Sequence, residues 1–355
     1  MKTFGYAVDG PDSKFRTFEF ERRELNDDDV LLDVLYAGIC HSDIHQVKNE
    51  WGNSQYPMVP GHEILGRVVR VGSKATKLKE GDLAGIGCMV DSCKKCKFCE
   101  SGDEHVCVDT PVYTYNSNER ESSEPTYGGY SNQIVCKERF VVKVSDKFTN
   151  LEGVAPLLCA GITTYSPLFR FKHLCTPGKK VAIVGLGGLG HMGVKFAAAL
   201  GAEVTIISTS SSKEADAKKL GATKFINSKE KGAFNKHVAE FDLVLDTVSA
   251  QHDLTEYLRV LAPFGSYIIV GAPPKPYDLA AFTLLNGNKM VVGSGIGGMR
   301  ETQEMIDFCA EHDITSDVEV IQASPETLET AYDRTSKSDV KYRFVIDGKS
   351  LKPQQ

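Results

Sequence analysis

Long apolar runs are missing from this sequence. None approaches the roughly 20 residues that a bilayer-spanning helix needs, so no membrane partner is expected. The opening Met1-Lys2-Thr3-Phe4-Gly5 leads into a mixed polar stretch without the apolar segment of a secretory signal. A surplus of basic charge is missing as well. Lysine and arginine number 41 against 47 aspartates and glutamates, and the net charge of -6 argues against a nucleic-acid partner. Repeats, low-complexity tracts and long linkers are absent, and tryptophan occurs once, as Trp51. Cysteine, by contrast, is plentiful. The expected location is cytoplasmic, and ten thiols in a reducing compartment bind metal more often than they pair.

At 355 residues the chain exceeds ordinary single-domain size, so two domains are expected. The first part holds short β-like runs, such as Val30 to Leu35 and Gly66 to Val71, separated by turns such as Tyr56 to Gly61. It reads as an irregular β-rich domain. After about residue 155 the pattern changes. Lys180 to Val184, Val204 to Ile207, Phe225-Ile226, Leu243 to Leu245, Tyr267 to Val270 and Met290 to Val292 are apolar runs. Helical stretches such as Met192 to Leu200 and Lys213 to Leu220 alternate with the first of them. Strands alternating with helices predict a doubly wound parallel sheet. Beyond residue 300 one amphipathic helix, Thr302 to Cys309, and a closing strand, Tyr342 to Ile346, are expected.

The run Gly185-Leu186-Gly187-Gly188-Leu189-Gly190 fits the dinucleotide fingerprint, following a strand and opening a helix. Its glycines let a pyrophosphate approach free N–H groups at the helix N-terminus. A site for NAD usually carries an acid about 20 residues on, holding the ribose 2′-hydroxyl. Here the second strand ends in Ser208-Thr209-Ser210-Ser211-Ser212-Lys213, and the one nearby acid, Glu203, sits at the strand's other end. Hydroxyls and a lysine suit a 2′-phosphate, so NADP(H) is expected. The plainer alternative is a solvated serine-rich loop.

Cys93-x-x-Cys96-x-x-Cys99 followed by Cys107 can close a tetrahedral zinc shell with no open position, which is a structural arrangement. Disulfides and an iron–sulfur cluster are the competing readings. Lys94, Lys95 and Lys97 could mark a nucleic-acid-binding zinc ribbon, but beside a dinucleotide fold they read as a solvated face. Cys40, His62 and Cys159 would make a catalytic zinc set with one position open. Spacing does not establish that they meet, and each alone could be an ordinary core residue.

Gly38-Ile39-Cys40-His41-Ser42-Asp43, Pro57-Met58-Val59-Pro60-Gly61-His62-Glu63, the four-cysteine lobe, Ala155 to Gly161 and Val340 to Val345 carry a resemblance over nearly the whole chain. The sequence resembles the zinc-containing medium-chain alcohol dehydrogenases, in the branch of cinnamyl alcohol dehydrogenases and bacterial broad-range aldehyde reductases. That resemblance implies a chaperonin-like (GroES-like) catalytic domain at 1–156, with its structural zinc lobe at about 88–110. It further implies a Rossmann domain at 157–295 and a return segment at 296–355. By the same resemblance Cys40, His62 and Cys159 hold a catalytic zinc, with Glu63 beside it and Asp43 orienting His62. Ser42 and His45 form a proton relay, and His41 lies near the cofactor pyrophosphate. Thr163, Val270, Gly271, Ser294 and Ile296 join the glycine turn around the cofactor. Trp51, Tyr113 and Ile296 are candidate walls for an aromatic or medium aliphatic substrate. Tyr113 replaces a tryptophan common in plant relatives, and the charged stretch Asn118 to Glu124 after it is unusual for an apolar wall. The implied assembly is a homodimer through the cofactor domain.

The expected reaction is therefore interconversion of a primary alcohol and its aldehyde. One rival is a C=C or C=N reductase on the same fold, disfavoured because Ser42 and His45 are both present. Another is a non-enzymatic zinc-ribbon binding protein, disfavoured by the acidic charge and the complete Cys40, His62, Cys159 set.

Overall fold

The computed structural model describes residues 1–273 and 275–352. The chain divides into two compact units: Met1–Ile162 together with the segment from Gly297 on, and Thr163–Ile296. No helix among the described residues is long and apolar enough to cross a membrane.

In the first unit, strand Asp29–Ile39 is the hub. It pairs antiparallel with Ile64–Val71, Gln133–Lys137 and Arg343–Asp347. Val30, Leu32, Val34, Ala37 and Ile39 are all buried, and a strand covered this fully reads as a nearly continuous apolar run. The sheet path is Val318–Ile321, Arg343–Asp347, Asp29–Ile39, Ile64–Val71, Leu83–Ile86, Val142–Lys143. Pairing register decides which strand ends lie together. Ala37 faces Ile64, and Phe344 faces Ile39. Residue 40, residues 62 and 63, and residue 343 therefore emerge at one end of three neighbouring strands.

Helix Met299–His312 buries Thr302, Met305, Ile306 and Cys309, the i, i+3, i+4, i+7 stripe of an amphipathic helix. Its core agrees with the sequence expectation. The stretch after it does not. Strand Val318–Ile321 and helix Pro325–Ser336 lie between that helix and the closing strand, where the sequence reading placed nothing.

The second unit is a six-stranded sheet of Lys180–Val184, Glu203–Ser208, Lys224–Asn227, Phe241–Asp246, Leu261–Ile269 and Met290–Gly293. Taken in chain order these stand third, second, first, fourth, fifth, sixth, and every pairing is parallel. This is the Rossmann order, whose switch point lies beside the first strand's carboxyl end. Val184, Ile207, Val244, Leu258 and Tyr267 pack in one core cluster.

Candidate functional site

Cys40 closes strand Asp29–Ile39 and caps the short helix His41–Val47, which the sequence reading did not anticipate. Asp43, in that helix's first turn, reaches back to the Cys40 N–H at 2.8 Å. This is half of a capping box, and it fixes the carboxylate. Its other oxygen lies 3.1 Å from His62 Nδ1 and accepts from the Gly61 N–H at 3.3 Å. Tyr130 also donates to Asp43 at 3.3 Å, and Tyr332 donates to Tyr130 at 3.3 Å. A local cap thus aims a distant imidazole, leaving Nε2 as its free ligand atom.

Cys159 arrives from another part of the unit, between the 3-10 turn Ala155–Leu158 and helix Ala160–Arg170. Its Sγ stands 3.9 Å from Cys40 Sγ. Ligand atoms of Cys40, His62, Glu63 and Cys159 all lie within 4.8 Å of one another, and all four residues are buried. The Cys159 thiol beside Cys40, helped by Arg343, holds the Cys40 thiol well below its ordinary pKa. The hydrogen bond to Cys40 in turn raises Cys159. For His62, burial works against the proton but Asp43 outweighs it, so its pKa is raised.

Glu63 is the odd member. Burial raises its carboxyl to about 8. Both oxygens are buried without an aligned hydrogen bond, although Arg343 Nη2 stands 3.2 Å from Oε1. Such an orphaned pair of oxygens beside two thiols and an imidazole fits a cation. Gly38 makes room for it, because a Cβ there would sit 2.0 Å from Glu63 Oε2. Arg343, fully buried, also lies 3.4 Å from Cys40 Sγ. Burial opposes its charge, but Cys40 and Glu63 more than compensate, so its pKa is raised. The two sulfurs and the imidazole match the donors of a catalytic zinc site, which keeps a fourth position open.

Ser42 Oγ lies 3.7 Å from Cys40 Sγ. His45, one turn on, is 2.5 Å from Glu50 Oε2 through Nδ1, and its ring is 5.1 Å from that of Trp51. Trp51 is 47% exposed, so it is no core residue. Tyr113 is 43% exposed in a two-residue strand paired with Met89, whereas Tyr115 is buried and stacks on the His62 ring at 5.8 Å. The charged stretch from Asn118 faces other charges. Glu119 pairs with Arg23 at 2.8 Å and Glu121 with Lys137 at 2.9 Å.

The four remaining lobe cysteines converge. Cys96 Sγ is 3.5 Å from Cys99 Sγ, Cys99 is 3.8 Å from Cys93, and the Cys93 N–H points at Cys107 Sγ across 3.4 Å. Cys93, Cys96, Cys99 and Cys107 form no disulfide, which removes the disulfide reading. Backbone N–H groups of Val108 and Cys99 lower the Cys96 thiol to about 6. Lys94 pairs with Asp91 at 3.1 Å and Lys97 lies over the Phe98 ring, so these cations are used locally.

In the second unit the glycine turn is shaped by contacts. Gly185 has φ +88°, and a Cβ on it would meet Val248 and Thr247 at about 3 Å (2.9 and 3.0 Å). Gly190 lies so close to the Gly185 carbonyl that a Cβ would be 2.1 Å away, while Gly187 faces open space. The first and third glycines therefore make the turn, and the second leaves room for a ligand. Helix Gly190–Ala199 starts here, with Leu189 as its cap and Gly188 just before. Lys213 Nζ donates to the Leu186 carbonyl at 3.0 Å, which places the cation against the turn. Burial lowers its pKa. Ser208 is buried, Thr209 exposed, and Ser210 Oγ lies 2.8 Å from Ser212 Oγ. The Val270 and Gly271 N–H groups donate to Asp246 O, and the Ser294 hydroxyl is buried without a partner. Thr163 is buried, and Ile296 is half-buried with φ +40°. His41 is exposed at the start of its helix.

Several site residues escaped the sequence reading: Arg343, Tyr115, Tyr130, Tyr332, Glu50 and Cys88. The Cys88 thiol lies 4.0 Å from the Leu158 carbonyl, and its hydrogen bond with Cys159 lowers its pKa.

Residues 26–146 match the family model for the alcohol dehydrogenase GroES-like domain, and residues 188–311 match that for zinc-binding dehydrogenase. A probable mannitol dehydrogenase from Fragaria ananassa is 52% identical over 353 residues, 99% of this chain and 97% of that protein. A cinnamyl alcohol dehydrogenase from Sorghum bicolor superposes with a TM-score of 0.96 at 43% identity, covering 100% of both chains. A CAD from Helicobacter pylori complexed with NADP(H) gives 0.91 at 42% identity, over 98% of this chain and 99% of that one.

Proposed function

The chain belongs to the zinc-containing medium-chain alcohol dehydrogenases, and from that premise we propose how its residues work as a zinc- and NADP(H)-dependent oxidoreductase of alcohols and aldehydes. One observation carries the reading: Cys40, His62, Glu63 and Cys159 place ligand atoms within 4.8 Å in a buried cluster.

Cys40, His62 and Cys159 would hold zinc, which when bound supplies the Lewis acidity that polarises an aldehyde oxygen or makes an alcohol more acidic. NADP(H) carries the hydride. The chain's own part is to position these groups and move the proton. Asp43 keeps His62 in one orientation, as ligating imidazoles require. Arg343 neutralises the charge that Cys40 and Glu63 gather in a buried site. Ser42, beside Cys40, is placed to exchange the proton of the reacting hydroxyl. His45 takes it onward, its ring oriented by Glu50 Oε2, 2.5 Å from Nδ1. The glycine turn holds the pyrophosphate, with Ser208, Thr209, Ser210 and Lys213 around the 2′-phosphate. Aromatic surface from Trp51 and Tyr113, with Tyr115 behind His62, supports an aromatic or medium aliphatic aldehyde as substrate.

A homodimer forms through the cofactor-binding unit in this reading. Met290–Gly293 is an edge strand, and Phe264, Phe282 and Leu285 in the same unit are more than 60% exposed (67%, 71% and 64%). An open edge with exposed aromatics is an association surface. Sedimentation should give a mass near twice 38.9 kDa, and a monomer at micromolar concentration would reject the dimer.

The direct test is initial-rate oxidation of NADPH and NADH across an aldehyde panel, with zinc counted on the same preparation. Rapid NADPH-linked reduction is expected. No turnover of any aldehyde at full zinc would shift the assignment to C=C or C=N reduction. Ser210→Asp should cut NADPH-linked kcat/KM by roughly tenfold or more through repulsion of the 2′-phosphate. If NADPH use is unchanged, the phosphate lies elsewhere.

A further inference from the structure

Asp246 ends strand Phe241–Asp246 and is completely buried. Four groups from three segments meet at its carboxylate. His252 Nε2 lies 3.0 Å from Oδ2, Tyr267 donates at 2.9 Å and Tyr277 at 3.3 Å, while the Val248 N–H donates to Oδ1 at 3.1 Å. The imidazole is fixed from the other side as well, Nδ1 lying 3.0 Å from the Ala250 carbonyl. Edge-on contacts with Tyr257 at 4.9 Å and Tyr277 at 5.3 Å flank the ring, which stays half-buried. Nothing in the hydride or proton chemistry of the zinc site uses this cluster.

Its position gives it a role. The Asp246 carbonyl accepts from the N–H groups of Val270 and Gly271 at 2.9 and 3.1 Å. Thr247, the next residue, binds the Val184 carbonyl through both its N–H and its hydroxyl, at 3.1 and 2.7 Å. Thr247 and Val248 are also the atoms that a Cβ on Gly185 would strike. Asp246 therefore joins the glycine turn and the turn after Leu261–Ile269, both at the carboxyl end of the sheet where dinucleotides bind. Gln251 Nε2 donates to the Pro276 carbonyl at 3.3 Å, which ties the same two connections once more.

We propose that Asp246, His252 and Tyr277 form a protonation-dependent clasp that positions these two turns and so makes NADP(H) affinity fall as pH rises. The inference rests on the proposed cofactor site and adds positioning residues to it. The charged and titratable groups facing His252 are Asp246, Tyr257, Tyr267, Tyr277 and its neighbour Asp253. Burial disfavours the imidazolium, but Asp246 outweighs burial and the His252 pKa is raised. A raised histidine stabilises the folded clasp fully below the ordinary value of about 6.5, and that contribution is lost as pH rises through the folded-state value. Once neutral, His252 loses the charge-assisted bond that draws residues 247–253 onto the strand end.

The test is the NADPH dissociation constant of the zinc-loaded enzyme, measured by fluorescence titration from about pH 6 to about pH 9, alongside His252→Gln and His252→Lys. The native protein should lose roughly threefold to tenfold in affinity across the range, beyond any change shared with the variants; a tenfold change corresponds to one unit of pKa shift. Titration of the 2′-phosphate itself affects all three proteins equally and cancels in the comparison. His252→Gln should bind weakly throughout and His252→Lys tightly throughout, each without the extra pH dependence. Tyr277→Phe, a smaller change, should weaken binding only at the acidic end. Amide exchange in residues 247–253 of the cofactor-free protein should quicken with pH more steeply than in His252→Gln. Identical affinity profiles for the native protein and His252→Gln would overturn the clasp while leaving the cofactor reading intact. Failure of the native protein to bind NADPH at any pH would overturn both.

Discussion

Cys159→Ala is expected to lower aldehyde-reducing kcat/KM by on the order of a thousandfold or more and to remove about one zinc per subunit. Cys159 is one of three soft or borderline donors in the buried group, and its sulfur stands 3.9 Å from that of Cys40. Two donors do not complete a catalytic zinc shell, which takes three from the protein. Lewis acidity worth several kcal/mol is then lost, and every 1.36 kcal/mol is a tenfold change in rate. The fold should survive. Alanine removes only the sulfur, and the strands next to Cys40, His62 and Arg343 remain paired through their own registers. Circular dichroism should thus match the native protein while the zinc count falls. Native-like turnover at full zinc would show that Cys159 is an ordinary buried thiol.

The contrast between the two metal groups explains what the sequence could and could not reveal. Cys93, Cys96, Cys99 and Cys107 lie within fifteen residues, so short spacing alone forces their sulfurs together. The glycine turn was legible for the same local reason, and the alternation of strands and helices around it gave the parallel sheet. Cys40, His62 and Arg343 meet only because Ala37 faces Ile64 and Phe344 faces Ile39, a register that no local spacing encodes. Resemblance to a family supplied Cys40, His62 and Cys159, but Arg343 stood inside a family motif without a role. A buried arginine announces itself only when its neighbours are known.

Other omissions had usable signals. Helix Pro325–Ser336 begins with Ser324, Pro325 and Thr327, a cap, a first-turn proline and a reciprocal capping partner. Reading those three residues as a helix start would have placed Tyr332 on an inward face, behind Tyr130 and Asp43. The two tyrosines of Tyr113-Thr114-Tyr115 were a different problem. Residues two apart in an extended chain share a face, so the pattern offered no ground for choosing Tyr115, which stacks on His62, over Tyr113. His252 carries no local signal in the sequence, since its meaning depends on tyrosines from two later segments.

Cys99→Ser should produce the opposite signature to Cys159→Ala: a less stable protein that keeps its chemistry at low temperature. Cys99 is fully buried, and its sulfur approaches those of Cys96 and Cys93 at 3.5 and 3.8 Å. Removing one of four thiolates opens a closed structural shell, and metal affinity in such sites is folding free energy. Peptide zinc sites reach apparent affinities of about 10 kcal/mol or more, but the loss here should be smaller, several kcal/mol. The lobe has other anchors. Glu104 accepts from Arg139 at 3.1 Å and from the Met299 N–H at 3.0 Å, and Arg139 donates to the Cys99 carbonyl at 2.5 Å. Gly298 also lies so close to Gly102 that a Cβ would stand 1.8 Å from its carbonyl. Loosening the lobe therefore frees the first turn of helix Met299–His312 while the sheet stays paired. The thermal midpoint should fall by roughly 10 °C, at about 2–4 °C per kcal/mol for a body of this size. The zinc count should fall by about one, and kcat at low temperature should stay within a few-fold of native, because none of Cys93, Cys96, Cys99 and Cys107 belongs to the Cys40 group. If the variant retained its full zinc and native melting, the four cysteines would not be a metal site. Loss of activity with stability intact would instead assign the lobe to the chemistry.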